Sequence, residues 1–197
     1  DLDTYAAIPW QQDGGPTARL ICDVYTPAGE PFGGDPRYIL KRAMQEVAAL
    51  GFVYNTGPEP ALFLLESDGN GGAVPVPHDQ GGYFDLSTDR GLEVRKQMSK
   101  TLAAFGIRVE TSHHEAAIGQ HEIDFRYTDA LRAADNVVTF KASLKEIARQ
   151  LGMHATFMPK PIAGINGSGM HVHQSLSRLG TGENAFADEQ GEHGLSQ

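Results

Sequence analysis

Residues 113–122 bring together three histidines and two glutamates in the order His-His-Glu-Ala-Ala-Ile-Gly-Gln-His-Glu. Carboxylate oxygens and imidazole nitrogens are common ligands of divalent metal ions, so this stretch favours a metal site. Glu115 and Glu122 are seven residues apart and would lie on opposite faces of one continuous strand. Two strands that fold back at Gly119 would instead bring the two carboxylates together. The alternative for this stretch alone is a polar hairpin whose charges face water.

The sequence on both sides of this stretch has the pattern of β-strands. Apolar and polar residues alternate from 107 to 111 and again from 123 to 126. A period of two residues predicts strands with one apolar face. We therefore predict a β-hairpin that carries the two glutamates.

Residues 158–169 hold three glycines and precede a second group of ligand-type residues. Glycine lets the backbone approach a ligand closely, although this spacing fits neither the P-loop nor the dinucleotide-binding fingerprint. His171, His173 and Ser175 would share one face of the strand that follows. Two imidazoles at this spacing can both reach one ion, or one can bind a metal and the other a phosphate. The alternative is an exposed polar strand face.

A third candidate ligand is Glu59, in the sequence Thr56-Gly-Pro-Glu-Pro-Ala-Leu-Phe63. An extended segment would place Glu59, Ala61 and Phe63 on one face. A single glutamate is more often solvated than bound to a metal, so Glu59 is a candidate ligand only in combination with the other two clusters.

Three predicted helices precede these polar clusters and must position them. Apolar stripes at helical spacing predict helices from Pro36 to Leu50, from about 88 to 105 and from about 129 to 151. The third helix is expected to bury a face that includes Val138 and Leu144. Each helix is followed by a glycine and then by a strand that runs toward one cluster. The glycines are Gly51, Gly106 and Gly152. We therefore expect one shared site on an α+β fold, with helices packed on a mainly antiparallel sheet.

Composition narrows the class of ligand and partner. The 197 residues carry a formal net charge of -9, which disfavours binding to nucleic acid or to an anionic membrane. Bound cations would be needed to hold an anionic ligand. Cys22, the one cysteine, excludes an intrachain disulfide and is expected to be buried on a strand over residues 17–25. The sequence shows no signal peptide and no membrane span, so we expect a cytoplasmic protein.

Taken together, these motifs resemble glutamine synthetase of the bacterial and archaeal type over essentially the whole chain. The matching stretches are Gly57-Pro-Glu-Pro60, His113-His-Glu115 with Gly119-Gln-His-Glu122, and Lys160-Pro-x-x-Gly-x-Asn-Gly-Ser-Gly-Met-His-x-His173. Each stretch alone is modest evidence for the family, whereas three such stretches in this order and at this spacing are specific to it. The resemblance implies that residues 1–197 are a partial catalytic domain, without the family's amino-terminal domain and the carboxy-terminal part of the catalytic domain.

The resemblance implies an enzyme of nitrogen metabolism that joins ammonia to L-glutamate, using ATP, through γ-glutamyl phosphate. It implies Mg²⁺ or Mn²⁺ as cofactor and a homo-oligomeric ring. By position in the motifs, the ligands of the first metal are Glu115 and Glu122, and those of the second are Glu59 and His171. The nucleotide-binding positions are Glu110, Tyr127, which would stack on adenine, His173 and Ser175. The positions that would bind glutamate are Asn166 and Gly167.

Two departures from the family pattern lead to further expectations. Ala61 stands where the family usually has a glutamate, so the first metal site is expected to lack one carboxylate. The family's later metal-binding glutamate and its phosphate-binding arginines lie beyond this chain, so the chain alone is expected to be inactive. Three other readings stay open. They are a ligase that joins glutamate to another amine such as a polyamine, a non-catalytic paralogue, and a metal-dependent hydrolase of different ancestry.

Overall fold

The computed structural model describes residues 1–10, 15–70, 72–85 and 89–196. Within these ranges helices combine with antiparallel strand pairs, so the predicted α+β class is confirmed. The helices are α1 (Pro36–Ala49), α2 (Leu92–Ala104) and α3 (Ala130–Gln150), with short 3₁₀ turns at Leu2–Thr4 and Glu192–Gly194. The strands are β1 (Ala6–Ala7), β2 (Ala18–Arg19), β3 (Phe52–Ser67), β4 (Ala73–Pro77), β5 (Val109–His114), β6 (Gln120–Phe125), β7 (Thr128–Asp129), β8 (Met153–Thr156) and β9 (Met170–Arg178).

The chain divides into two compact units. The first unit comprises residues 1–57, 127–135 and 173 onward, and the second comprises residues 58–126 and 136–172. A single partial catalytic domain over residues 1–197 stays a prediction. No helix among the described residues is long and apolar enough to cross a membrane.

The second unit is built on a sheet in which β6 lies between β3 and β5. Leu62 and Leu64 of β3 and Ile123 of β6 are fully buried in one apolar cluster. The same cluster includes, from α2 and α3, Val94, Met98, Leu102, Phe140, Leu144 and Ile147. Successive residues of a strand point to opposite faces, so the residues between these core positions lie on the other face of the sheet.

The strand register places ligand-type positions in one row on that other face. Ala61 of β3 pairs with Glu122 of β6, and Glu122 pairs with His113 of β5. Directly paired residues on neighbouring strands share a face, with Cβ atoms about 5 Å apart. The register therefore brings residues from three strands to one place, and two of the three carry metal-binding groups.

The predicted start of α1 and the predicted carboxy-terminal ends of all three helices are confirmed. Asp35 caps α1, accepting a hydrogen bond of 3.0 Å from the backbone N–H of Arg37. The glycine after each helix has a positive φ: 87° at Gly51, 76° at Gly106 and 74° at Gly152. This left-handed conformation ends a helix and favours glycine because a Cβ atom would be strained there.

Three details of the sequence prediction are wrong or incomplete. Among the described residues, the strand expected over 17–25 is reduced to β2 and an isolated bridge from Tyr25 to Pro31, and Cys22 is exposed. Val138 is 60% exposed, since the buried face of α3 carries Phe140 and Leu144 and a residue two positions from Phe140 points away from it. The predicted start of α2 near residue 88 lies outside the described residues, which show this helix from Leu92.

Candidate metal centre

The predicted hairpin is present, and its turn is tightly packed. β5 and β6 pair antiparallel, and Gly119 has a φ of 68°. A Cβ atom at Gly119 would lie 2.8 Å from Cβ of Pro77 and 3.1 Å from the carbonyl oxygen of Leu64. Glycine is therefore required here by both conformation and space.

The hairpin brings the two predicted carboxylates to the same imidazole. Nε2 of His113 lies 3.2 Å from Oε1 of Glu115 and 3.8 Å from Oε1 of Glu122. Glu115 follows the end of β5, whereas Glu122 lies on β6. The structure thus brings Glu115 and Glu122 together as the sequence indicates, and their role as metal ligands stays a prediction.

Glu115 is held in its charged form by its neighbours. Its Oε2 accepts a hydrogen bond of 2.8 Å from the backbone N–H of Ala116, and its Oε1 accepts one of 3.0 Å from the hydroxyl of Tyr83. The Tyr83 ring also stacks on His113, with ring centres 5.4 Å apart. Burial works against ionisation, but these hydrogen bonds and His113 lower the pKa of Glu115 below its usual value.

The surroundings of Glu122 and Asp124 disfavour the ionised forms of both carboxyl groups. Burial, followed by repulsion from Asp124 and Glu115, raises the pKa of Glu122 to about 7. Burial and the nearby charge of Glu59 likewise raise the pKa of Asp124. Like charges crowded in a half-buried site disfavour ionisation, and a divalent cation would remove that penalty. Ligand atoms of His113, Glu122 and Asp124 all lie within 4.8 Å of one another.

The second predicted ligand pair also converges. Oε2 of Glu59 on β3 lies 3.7 Å from Nδ1 of His171 near the start of β9. A backbone hydrogen bond of 3.0 Å from Ala61 N–H to the carbonyl of Gly169 joins the two segments. Glu59 and His171 are therefore within reach of a common ion.

The glycine-bearing loop that precedes β9 is fastened to the hairpin. Gln120 of β6 donates a hydrogen bond of 2.9 Å from its side-chain amide to the carbonyl of Gly167. Ile162 and Ile165 pack against a small apolar cluster of Phe63, Leu65 and Ala117. Asn166, between these fixed points, is exposed. The predicted substrate positions Asn166 and Gly167 are thus held beside the strand that carries Glu122.

A second cluster of possible ligands, fully buried, lies behind the hairpin. Asp79 Oδ1 lies 2.9 Å from Nε2 of His114, and Nδ1 of His114 lies 2.7 Å from the carbonyl of Glu115. Gly119 also donates its N–H to Asp79 over 3.1 Å. Burial opposes both charges, yet the hydrogen bond between them raises the pKa of His114 and holds the pKa of Asp79 well below its usual range. Asp79 and His114 therefore form a buried ion pair that anchors the turn.

His121 completes this cluster but is not available to a metal. Its Nδ1 lies 2.8 Å from a guanidinium nitrogen of Arg95, which itself is paired with Asp89. A guanidinium only donates hydrogen bonds, so Nδ1 accepts and the ring proton is on Nε2. Burial and the adjacent positive charges of His114 and Arg95 lower the pKa of His121. We interpret the buried cluster of Asp79, His114 and His121 as support for the hairpin rather than as a second metal site.

Comparison with known proteins agrees with the motifs. The family model described as glutamine synthetase, catalytic domain, matches residues 33–197. The chain belongs to the glutamine synthetase family. The glutamine synthetases of Clostridium saccharobutylicum and Thermus thermophilus are 53% and 52% identical to it over 198 and 203 residues. These matches cover 100% of the chain and 44% and 45% of the relatives, so the chain spans less than half their length.

Solved structures of glutamine synthetase-like proteins share the fold. Two structures, titled "Apo GmaS without ligand" and "GmaS/ADP complex-Conformation 1", are each 32% identical with a TM-score of 0.86. They match 100% of the chain, which covers 45% and 44% of their own lengths. A third structure, of a glutamine synthase homologue, is 22% identical with a TM-score of 0.85 and supports the fold alone.

The first unit holds most of the nucleotide positions that the glutamine synthetase resemblance implies. A Cβ atom at Gly57 would lie 3.4 Å from Cβ of Tyr127 and 3.9 Å from Cβ of His173, so these two residues flank the glycine. Ser175 is half-buried two residues further along β9. Glu110 belongs to the second unit, where it is exposed on β5. Their contacts with a nucleotide stay predictions.

Three residues at this candidate site were given no individual role by the sequence. Asp124 lies two residues after Glu122, and the strand period could have placed it on the same face. His113 was visible within the motif but had no assigned role. Tyr83 carried no local signal, because a loop far away in sequence brings it to Glu115.

Proposed function

We propose that the protein to which this chain belongs is a glutamate–ammonia ligase. It would join ammonia to the γ-carboxylate of L-glutamate at the expense of ATP, through γ-glutamyl phosphate, releasing glutamine, ADP and phosphate. The observation that carries the proposal is the convergence of Glu115 and Glu122 on His113 within a chain of this family. We also propose a cytoplasmic homo-oligomer, as the family resemblance implies.

The residues present fit two Mg²⁺ or Mn²⁺ ions. Carboxylate oxygens suit these hard cations, and Glu115 and Glu122 would hold the first ion. Glu59 and His171, whose ligand atoms are 3.7 Å apart, would hold the second. When bound, the ions would neutralise charge on the phosphates and on the transferred phosphoryl group. The raised pKa of Glu122, about 7, supports this assignment because crowded carboxylates are relieved by a cation.

The remaining predicted site residues would bind and orient the substrates. Tyr127 and His173, on either side of Gly57, would contact the nucleotide, with the Tyr127 ring stacked on adenine. Ser175 and Glu110 would also contact it. The loop of Asn166 and Gly167 would bind glutamate, and Gln120 keeps that loop in place through Gly167.

The 197 residues alone are proposed to be inactive. They span 44% of the length of a matched glutamine synthetase. The family resemblance implies that positive groups outside them stabilise the transferring phosphoryl group. Loss of even one such group commonly reduces kcat about 100-fold or more.

The test uses the full-length protein with ATP, Mg²⁺, glutamate and ammonium. We expect phosphate release that requires both glutamate and ammonium, with glutamine identified by chromatography. Glu122→Gln should lose most activity, whereas Glu183→Gln, an exposed matched control, should retain it. Phosphate release that is independent of glutamate would contradict the proposal and favour a metal-dependent hydrolase.

A ligase for another amine is the second candidate. The match at a TM-score of 0.86 to proteins titled GmaS shows that the fold is not limited to proteins named glutamine synthetase. Parallel assays with methylamine and putrescine in place of ammonium separate the two candidates. Amide formation with one of these amines but not with ammonium would replace the main proposal.

A further inference from the structure

Ala61 leaves a gap in the row of ligand-type residues. It lies directly opposite Glu122 in the β3–β6 pairing and is only 6% exposed. Its methyl group cannot bind a cation. A metal ion next to Glu122 would therefore lack the carboxylate that the family resemblance implies at residue 61, and another position of the same sheet face could supply a ligand in its place.

Asp124 lies two residues after Glu122, on the same face of β6. Its Oδ2 accepts a hydrogen bond from the hydroxyl of Thr111, which fixes the orientation of the carboxylate. Its Oδ1 is buried and has no hydrogen-bond partner among the described residues. A buried carboxylate oxygen without a partner is costly, so a bound cation would satisfy it.

The distances suit one ion shared by three residues. Ligand atoms of Asp124, Glu122 and His113 lie within 4.8 Å of one another. In an octahedral site with bonds of about 2.1 Å, ligand atoms are about 3.0 Å apart at right angles and about 4.2 Å apart across the ion. Small side-chain shifts would close the triangle. The Tyr83 ring, stacked on His113, already orients the imidazole.

We propose that Asp124 replaces the ligand missing at Ala61, so that Asp124 and His113 hold the first ion together with Glu115 and Glu122. This inference rests on the proposed function, since it specifies the ligands of its first metal site. The added ligand thus lies one row along β6 from Glu122, beside Thr111. Restoring a carboxylate at residue 61 should then make Asp124 dispensable.

The test is calorimetric titration of the chain with Mn²⁺ in the His171→Gln background, which removes the second proposed site. Asp124→Asn keeps the side-chain shape and should weaken binding at least about tenfold, because loss of even an indirect partner of a metal commonly costs 10–100-fold. Asp3→Asn, an exposed control with the same charge change, should leave binding unaltered. In Ala61→Glu, Asp124→Asn should cost less than threefold.

The outcomes separate this inference from the proposed function. If Glu122→Gln abolishes binding while Asp124→Asn binds like the parent, Asp124 is not a ligand and the metal site itself stands. If both variants bind like the parent, the proposed metal site is wrong as well. Should Asp124→Asn unfold, Ala61→Glu alone decides: an affinity gain below threefold supports Asp124 as the existing ligand, and a gain of tenfold or more shows that the position was vacant.

Discussion

Replacing Gly91 by alanine should destabilise the protein, although simple helix arguments predict the opposite. Gly91 precedes α2 and has a φ of −78°, which alanine adopts without strain. At such a position Gly→Ala usually stabilises by about 0.4–1 kcal/mol, since the unfolded chain loses freedom. The backbone alone therefore predicts a more stable variant.

Packing reverses that sign. A Cβ atom at Gly91 would lie 2.2 Å from Cε1, 2.5 Å from Nε2 and 2.9 Å from Nδ1 of His121. The imidazole cannot move away freely, because it is fully buried and hydrogen-bonded to Arg95. Its ring also packs edge-on against the ring of His114, with ring centres 4.5 Å apart. Overpacking of this kind costs about 1–3 kcal/mol, so we expect a net loss of about 1–2 kcal/mol.

The assay is urea unfolding followed by circular dichroism. Gly33→Ala is the matched control, because a Cβ atom there meets no atom within 4 Å. We expect the control to change the free energy of unfolding by less than about 0.5 kcal/mol. In a His121→Ala background the cost of Gly91→Ala should largely disappear. A Gly91→Ala variant as stable as the parent would refute the argument from packing.

Three further outcomes follow from the fold and its charges. Burial opposes the ionisation of Asp89, but its ion pair with Arg95 lowers the pKa of Asp89 below the usual value. Asp89→Asn should therefore destabilise the folded protein above a pH of about 4. The difference in stability should shrink as the pH falls further, because Asp89 of the parent then becomes protonated. Urea unfolding from pH 3 to 7 measures the difference, and a pH-independent loss would contradict it. Leu144→Ala should cost about 2–5 kcal/mol, whereas Val138→Ala should cost less than about 1 kcal/mol, and equal losses would mean that the buried face of α3 is misassigned. Arg37→Met should lower the melting temperature, measured by calorimetry, because three aspartates would each lose their ion pair with Arg37.

Local patterns predicted the helices and the hairpin because the deciding contacts are close in sequence. The turn at Gly119 and the helix ends at Gly51, Gly106 and Gly152 depend on one backbone conformation each. The helical period also placed Leu144 in the core, but it could not choose the edge of that face, and Val138 was assigned to the wrong side.

The site depends on contacts that no local pattern encodes. The pairing of Ala61 with Glu122 joins residues far apart in sequence and is set by how β3 and β6 align. The hydrogen bond from Tyr83 to Glu115 comes from a loop with no recognisable motif. The buried pair of Asp79 and His114 could not be predicted, because a histidine within a metal-binding motif is interpreted first as a metal ligand.

The alternation along β6 makes the protein intolerant of a change in length inside that strand. Ile123 fills the core under the helices, while Glu122 and Asp124 occupy the opposite face. One inserted or deleted residue would move the side chains of Glu122 and Asp124 to the apolar core face and would move the side chain of Ile123 to the opposite face. Homologous chains should accordingly keep residues 120–125 free of single-residue insertions and deletions, and the same constraint disfavours folding of the sheet in a neighbouring register.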